Sequence, residues 1–348
     1  MLNLSRRDFL YCTGAVALST PFAAWSAAPH ASDWNWLLGN WDVHHVRLKD
    51  RLVGSTTWEE FAGKSAFWTT LGGLGNVDDN LLEIPSGSYR GLSVRAFDPK
   101  SEKWAIWWLD GRNPTHIEPP VLGGFNNDEG EFAGRDTLRG KPIVMRFNWH
   151  EVNGSRPWWE QSFSPDDGKT WEVNWRNYFT RTAREATSLP KLPNALPDFD
   201  FLVGRWKVQH RKLKRRLAGS QDWEKADGTF VNWPVLGGYG NVGDNVMNFP
   251  SGVVRGIGLR AFDPAKREWL SWWLDGRDPH VIGPPTRGSF ANGIGTFIGE
   301  DTIEGRKILT RVVWSHITPR SARWEQSSSA DGGKTWESNW VSDFTRQS

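Results

Sequence analysis

Aspartate and arginine stand two residues apart at the end of a tryptophan-rich run, and the arrangement occurs twice. Residues 104–112 read WAIWWLDGR and residues 269–277 read WLSWWLDGR. Asp110 with Arg112, and Asp275 with Arg277, could grip ligand hydroxyls or exchange a proton where a strand ends. An Asp-Gly-Arg turn is also ordinary hairpin chemistry. A second polar set, Glu160, Ser162, Glu172 and Asn174, alternates with aromatic residues and returns unchanged as Glu325, Ser327, Glu337 and Asn339. A solvated face would be expected to drift between copies. General acid–base residues are therefore sought here, with Glu160, Asp110, Glu325 and Asp275 as candidates, beside the plainer reading of a hydrogen-bonded rim.

Arg95 and Arg260 lie in mid-strand beside Phe97 and Phe262, positions from which a guanidinium reaches into a barrel. Such a group suits a carboxylate, a phosphate or a sugar hydroxyl, or serves an internal salt bridge. Asp136 and Asp301 share a face with Phe132/Phe297 and Gly134/Gly299, while the other face changes size or sign between copies, which predicts burial. An unpaired buried charge costs several kcal/mol, so a partner is expected across the tight turn: Arg146 for Asp136 and Arg311 for Asp301. The 24 tryptophans, Trp108 and Trp273 among them, offer flat faces on which a sugar ring or a polycyclic compound stacks. Most of them must fill cores.

Cofactor motifs are missing. The stretch GGLGN at 72–76 has no Lys-Ser/Thr after it and no strand-then-helix setting, so it is a loop. Only His45 and His210 are duplicated, and no histidine pair has zinc-ligand spacing. No metal and no cofactor are expected. A haem held by one histidine is the alternative, through His45, His116 or His150. His116 aligns with Val281 and His150 with Ser315, which weighs against a site shared by both copies.

These residues sit in a repeat of 165 residues that holds from Gly39/Gly204 to Arg181/Arg346 without insertion or deletion. That period is a whole domain, since solenoid and propeller units recur about every 20–50 residues. The domains are read as 33–181 and 198–346, joined by a linker at 182–197. Each contains short alternating runs broken by Gly, Pro, Asn and Asp, enough for about eight to ten strands. The expected fold is all-β, two tandem antiparallel barrels. The nonapeptide is apolar on both faces, so one face is expected inside the barrel and the other against the sister domain or a second subunit. The pattern S-x-D-x-G-x-T-W at 164–171 and 329–336 is an Asp-box hairpin turn, structural in role.

Leu37-Leu38-Gly39-Asn40-Trp41 and Leu202-Val203-Gly204-Arg205-Trp206 open the domains with G-x-W, which resembles the first strand of the calycin superfamily, the lipocalin and nitrobindin-like barrels. The whole repeat also resembles DUF1579-like bacterial proteins, through G-N-V, R-A-F-D-P, W-W-L-D-G-R, W-E-Q and the Asp-box stretch. The resemblance implies a lipocalin-like barrel and no particular ligand.

Ser5-Arg6-Arg7-Asp8-Phe9-Leu10, the apolar run to Ala24 and Ser26-Ala27-Ala28 read as a twin-arginine signal peptide over 1–28, placing the protein in the periplasm or outside the cell. The run is too short to span a bilayer. Cys12, the only cysteine, lies inside it. Without residues 1–28 the net charge is +1, which gives nucleic acid or an anionic membrane no electrostatic reason to bind. The leading expectation is a protein that binds a small organic ligand, sugar-like or polycyclic, in Trp-, Arg- and carboxylate-lined pockets. The site residues are Arg95, Trp108, Asp110, Arg112, Asp136, Arg146, Glu160 and Asn174, with their copies Arg260, Trp273, Asp275, Arg277, Asp301, Arg311, Glu325 and Asn339. The alternatives are a hydrolase, lyase or isomerase using Glu160 or Asp110, and an assembly role in a homo-oligomer.

Overall fold

The structure, a computed structural model, describes residues 29–347; the signal peptide read over 1–28 lies outside the described residues. Two closed antiparallel barrels of ten strands follow one another. The first contains β1 (Gly39–Leu48), β2 (Trp58–Thr70), β3 (Gly75–Leu82), β4 (Tyr89–Asp98), β5 (Lys103–Asp110), β6 (Val121–Asn126), β7 (Glu129–Leu138), β8 (Lys141–His150), β9 (Trp158–Ser164) and β10 (Glu172–Ala183). The second contains β11 (Gly204–Leu213), β12 (Trp223–Val235), β13 (Gly240–Phe249), β14 (Gly252–Asp263), β15 (Glu268–Asp275), β16 (Thr286–Ala291), β17 (Ile294–Ile303), β18 (Arg306–Ser315), β19 (Ser321–Ser329) and β20 (Glu337–Arg346). Neighbours in sequence are neighbours in space, and the first strand closes on the tenth. Two-residue turns with both φ positive, Arg139-Gly140 (50° and 76°) and Glu304-Gly305 (49° and 76°), match strand twist as hairpin turns must. At each Asp box, Asp166 accepts hydrogen bonds from the Thr170 N–H (2.8 Å) and the Lys169 N–H (3.1 Å). The Thr170 hydroxyl, which donates to Asp166 Oδ2 (2.7 Å), does most to hold its carboxyl down at about 2, with these N–H bonds and the Ser164 hydroxyl adding to it.

One end of each barrel is plugged. Before β1, Trp34 inserts its ring edge-on to Phe125 (4.9 Å) and Trp149 (5.2 Å). Trp41 donates from Nε1 to the Leu37 carbonyl (2.7 Å) of the short 3-10 turn Asn35–Leu37. The second barrel repeats this with Phe199 against Trp269 (4.9 Å) and Trp206 donating to the Leu202 carbonyl (2.8 Å). The guanidiniums of Arg181 and Arg346 lie over Trp41 and Trp206, at 4.1 and 4.2 Å, sealing the floor from outside.

The outer faces of β3–β5 and β13–β15 meet. Leu92, Val94 and Trp107 join Ile257, Leu259 and Trp272 in one continuous core, so the second apolar face of each nonapeptide is covered by the sister domain. The contact is related by a pseudo-two-fold. The Leu71 N–H donates to Asp244 Oδ1 (3.0 Å) and the Leu236 N–H to Asp79 Oδ1 (2.8 Å), while Trp68 stacks on Trp233 at 5.7 Å. Burial pushes both carboxyls up to about 6, against the pull of Arg90 on Asp79 and of the Leu71 N–H on Asp244. Arg90 pairs with Asp79 and also donates to the Pro190 carbonyl (2.9 Å), strapping the interdomain segment across the interface. Among the described residues no helix is long and apolar enough to cross a membrane.

Candidate functional site: the barrel mouths

Opposite each plug the strands end in duplicated charged and aromatic residues. In the first barrel Asp110 ends β5, Tyr89 begins β4, Asp136 lies near the end of β7, and Arg47 and Arg51 follow one another across the end of β1. The Arg112 guanidinium forks onto Asp110 (Nε–Oδ1 3.0 Å, Nη2–Oδ2 2.5 Å) and lies 3.7 Å over the Tyr89 ring. Arg277 and Asp275 repeat the fork at 2.8 and 2.6 Å. Each Asp-Gly-Arg therefore satisfies itself as a turn. Trp108 lies inside, flat on the neighbouring strand: a Cβ added at Gly91 would come 2.3 Å from its ring, and one at Gly256 2.1 Å from Trp273. Only glycine admits these rings.

Cations line the aromatic wall. Arg51 sits 5.7 Å over Phe163 and 5.5 Å over Trp175, and burial, with Arg47 nearby, pushes it down to about 10. Arg47 donates to Glu59 (Nε–Oε1 3.0 Å) and lies 5.2 Å over Trp175. In the second barrel Lys212 Nζ stands 4.7 Å over Trp340, its pKa lowered chiefly by burial. Arg216 pairs there with Asp301 at 3.3 Å.

Glu118 escaped the motif reading, because its counterpart is Gly283 and it belongs to no repeated pattern. Its carboxyl is pushed up to about 7, first by burial, then by the Asp136 and Asp110 carboxylates, against Arg51. The Glu118 N–H donates to the Trp108 carbonyl (2.9 Å), so the segment after β5 folds back beside that strand. A Glu-Pro-Pro five residues beyond the nonapeptide was the available signal. Glu118 also borders an interbarrel cleft of ≈350 Å³ between Trp107, His116, Trp272 and Pro284.

Two sequence expectations are corrected. Asp136 and Arg146 do not pair, because they face opposite sides. The two-residue turn sets Asp136 opposite Ile143, and Arg146, three residues further, opposite Ala133. An odd offset reverses the face. Arg146 points outward over the Asp-box Trp171 (4.3 Å), and Arg311 over Trp336 (4.4 Å). Asp136 and Asp301 are half-buried rather than buried.

Nor do Glu160, Ser162, Glu172 and Asn174 share a face. A bulge between Val173 and Trp175 resets the alternation at Asn174. Asn174 turns inward to accept from Gln161 Nε2 (2.8 Å), and Asn339 likewise from Gln326 (2.9 Å). Glu172 and Glu337 accept the Leu52 and Leu217 N–H groups at 2.8 and 2.6 Å, holding the loop after the first strand of each barrel. Glu160 lies on the outer wall near Arg176 (3.4 Å), and Glu325 on the outer wall opposite Val313 and Val341.

The lumen floor holds the mid-strand arginines. Arg95 donates from Nη1 to Asp78 Oδ2 (2.8 Å) and Asn76 Oδ1 (2.9 Å), 4.7 Å over Trp34. Arg260 donates to Asn241 Oδ1 (2.8 Å), 5.1 Å over Phe199. The three haem-candidate histidines occupy separate surroundings. His45 is in the lumen, bonded to Asn177 (2.6 Å) and pushed down to about 4 by burial. His116 is in the cleft, and His150 lies against Trp158 at 3.9 Å. Among the described residues no group of three His, Cys, Asp or Glu is placed to hold a metal.

No family model matches the chain, and no curated protein matches it in sequence. The resemblance to DUF1579-like proteins thus has no family match behind it. Solved structures do align over most of the length. A DUF3598-family protein of unknown function from Nostoc punctiforme shares 12% identity, covering 91% of this chain and 99% of its own, at a TM-score of 0.25. A tryptophan-to-alanine mutant of transferrin-binding protein B from Haemophilus parasuis shares 7%, covering 89% and 76%, at 0.17. A putative AttH from Nitrosomonas europaea shares 9%, covering 95% and 98%, at 0.16. These likenesses are too distant to carry a function.

Proposed function

We propose that this is an exported protein of calycin, DUF1579-like type, delivered by its twin-arginine signal to the periplasm or beyond, which binds a small organic ligand at its barrel mouths. The observation that carries this is a desolvated cation on the aromatic wall of each mouth, supplied from different positions: Arg51 against Trp175 in the first barrel and Lys212, the counterpart of Arg47, against Trp340 in the second. A charge held dry at an opening is a site that gains from an anionic or polar partner, and an adjacent indole stacks the partner's ring. Native mass spectrometry of protein from its own host, repeated on Trp175→Ala and Trp340→Ala, tests it. Retention of a small molecule by the unaltered protein and its loss from a variant is the expected result; the apo mass in every sample argues against binding.

An enzymatic reading draws on one specific feature, the Glu118 carboxyl near neutral pKa beside Asp110 and Asp136. With Glu160 on the outer wall, acid–base work on a sugar or polycyclic substrate would pass to Glu118 and Asp110. Glu118→Gln should then abolish turnover while sparing affinity. Packing of the Trp107 and Trp272 faces within one chain removes the main reason to invoke a homo-oligomer.

A further inference from the structure

The barrels are copies, so each difference between them reports what one lumen has and the other lacks. Four basic positions keep their charge: Arg47/Lys212, Arg51/Arg216, Arg95/Arg260 and Arg112/Arg277. Two acidic positions do not. Glu118 becomes Gly283, and Asp78, the counter-ion of Arg95, becomes Gly243. The second lumen loses two carboxylates and no cation.

The consequence is local at Arg260. It is 7% exposed, its single hydrogen-bond partner among the described residues is a neutral amide, and burial alone accounts for its lowered pKa. The ring of Phe230 occupies the space of the missing carboxylate, 2.2 Å from where a Cβ on Gly243 would stand; the first barrel has Ser65 there. Three buried polar atoms around this point have no partner: Arg260 Nε, Asn241 Nδ2 and Asn232 Oδ1. Buried polar groups are rarely left so. Two of the three are donors, the guanidinium's own Nε and the Asn241 amide, and together they can meet the two oxygens of a carboxylate, which forked donors bind best. Arg95 Nε is also without a partner, so what the second barrel adds is the Asn241 donor and the absence of a counter-ion.

Most of the exchanges along the lumen above this point also shrink the side chain. Toward the mouth Phe61 becomes Ala226, Tyr89 becomes Val254 and Phe163 becomes Ser328; deeper, Ile106 becomes Ser271 and Met145 becomes Thr310. Phe230 and Phe249 are the larger exchanges that run the other way. Arg260 Nη2 extends along β14 beside Gly258, where a Cβ would come within 3.4 Å of it. Lys212 stands at the entrance over Trp340.

We infer that the second barrel is the ligand chamber and that it takes an organic acid, the carboxylate held by Arg260 and Asn241 and the apolar body reaching up toward Trp340. The first barrel carries its own counter-ion, Asp78, and stays closed to such a ligand. This inference rests on the mouth-binding reading and narrows it to one barrel and one charge.

Titration calorimetry on the full exported chain, with 1-naphthoate and its neutral analogue 1-naphthamide as probes, tests it. One site per chain is expected, at least tenfold tighter for naphthoate. Arg260→Met should remove that preference, and so should Phe230→Ser with Gly243→Asp, which installs the first barrel's own residues. Arg176→Met, which removes a cation from the outer wall of the first barrel, should leave binding unchanged. Equal affinity for the two probes overturns the inference. So does naphthoate binding that survives Arg260→Met but is lost on Trp340→Ala or Trp175→Ala, an outcome that leaves the mouth reading standing. Binding of neither probe overturns the chamber, while ligand retention in native mass spectrometry decides the mouth reading separately.

Discussion

Two arginines at equivalent positions have opposite energetic meaning. Arg95 is buried with Asp78, so Arg95→Met leaves an uncompensated carboxylate and should cost about 3–5 kcal/mol in urea unfolding. Arg260 has no such partner; Arg260→Met, of similar volume, should be neutral or stabilising by about 1 kcal/mol. A loss of equal size in both variants would contradict this assignment of charges. At the mouth, Glu118 has its folded pKa raised to about 7 from 4.5. The native state therefore binds the proton more tightly, and the stability this confers is full below about pH 4.5 and lost as pH rises toward 7. Glu118→Gln should flatten that slope by on the order of 1–2 kcal/mol after allowance for solvent screening. Chemical unfolding at pH 4.5, 6 and 7.5 measures it; parallel curves would show that Glu118 is not desolvated. Nothing in the pattern of repeated motifs singled out Glu118. Its character comes first from burial and then from two carboxylates that reach it from β5 and β7.

At the scale of the strand, alternation was legible and its interruptions were not. The face carrying Trp104, Ile106 and Trp108 was readable because a strand alternates with period two. The pairing of Asp136 with Arg146 failed on one residue of parity, and the polar set around Glu160 failed on the bulge at Asn174. A bulge inserts one residue without changing composition, so no spacing rule reveals it. The glycines under the tryptophans carry a prediction of their own. Gly91→Ala puts a methyl group 2.3 Å from the Trp108 ring and should destabilise by about 1–3 kcal/mol through overpacking, with a shift in tryptophan emission. An unchanged midpoint and spectrum would mean the ring is free to move.

Across the whole molecule the decisive contact is the one between the barrels. Each domain offers the other the same surface, and each receives a leucine N–H on the same aspartate; self-complementary contacts of this kind are how two-fold dimers close. Asp79→Ala with Asp244→Ala strips both acceptors, and about 1–3 kcal/mol is lost for each buried donor left unmet. Scanning calorimetry should then show two transitions where the unaltered chain shows one. A single transition at the original temperature would locate the coupling elsewhere.

The repeat, the all-β class, the tandem barrels and the burial of the nonapeptide on both faces followed from the sequence alone. Each is set by local periodicity, turn residues and duplication, which survive in one dimension. What only the tertiary structure decided is which charges meet. Arg95 finds Asp78 across a sheet, Arg260 finds the Phe230 ring where a carboxylate would be, and Glu118 finds two carboxylates across a loop. Electrostatic partners are chosen by distance through the lumen, and that distance exists only once ten strands have closed.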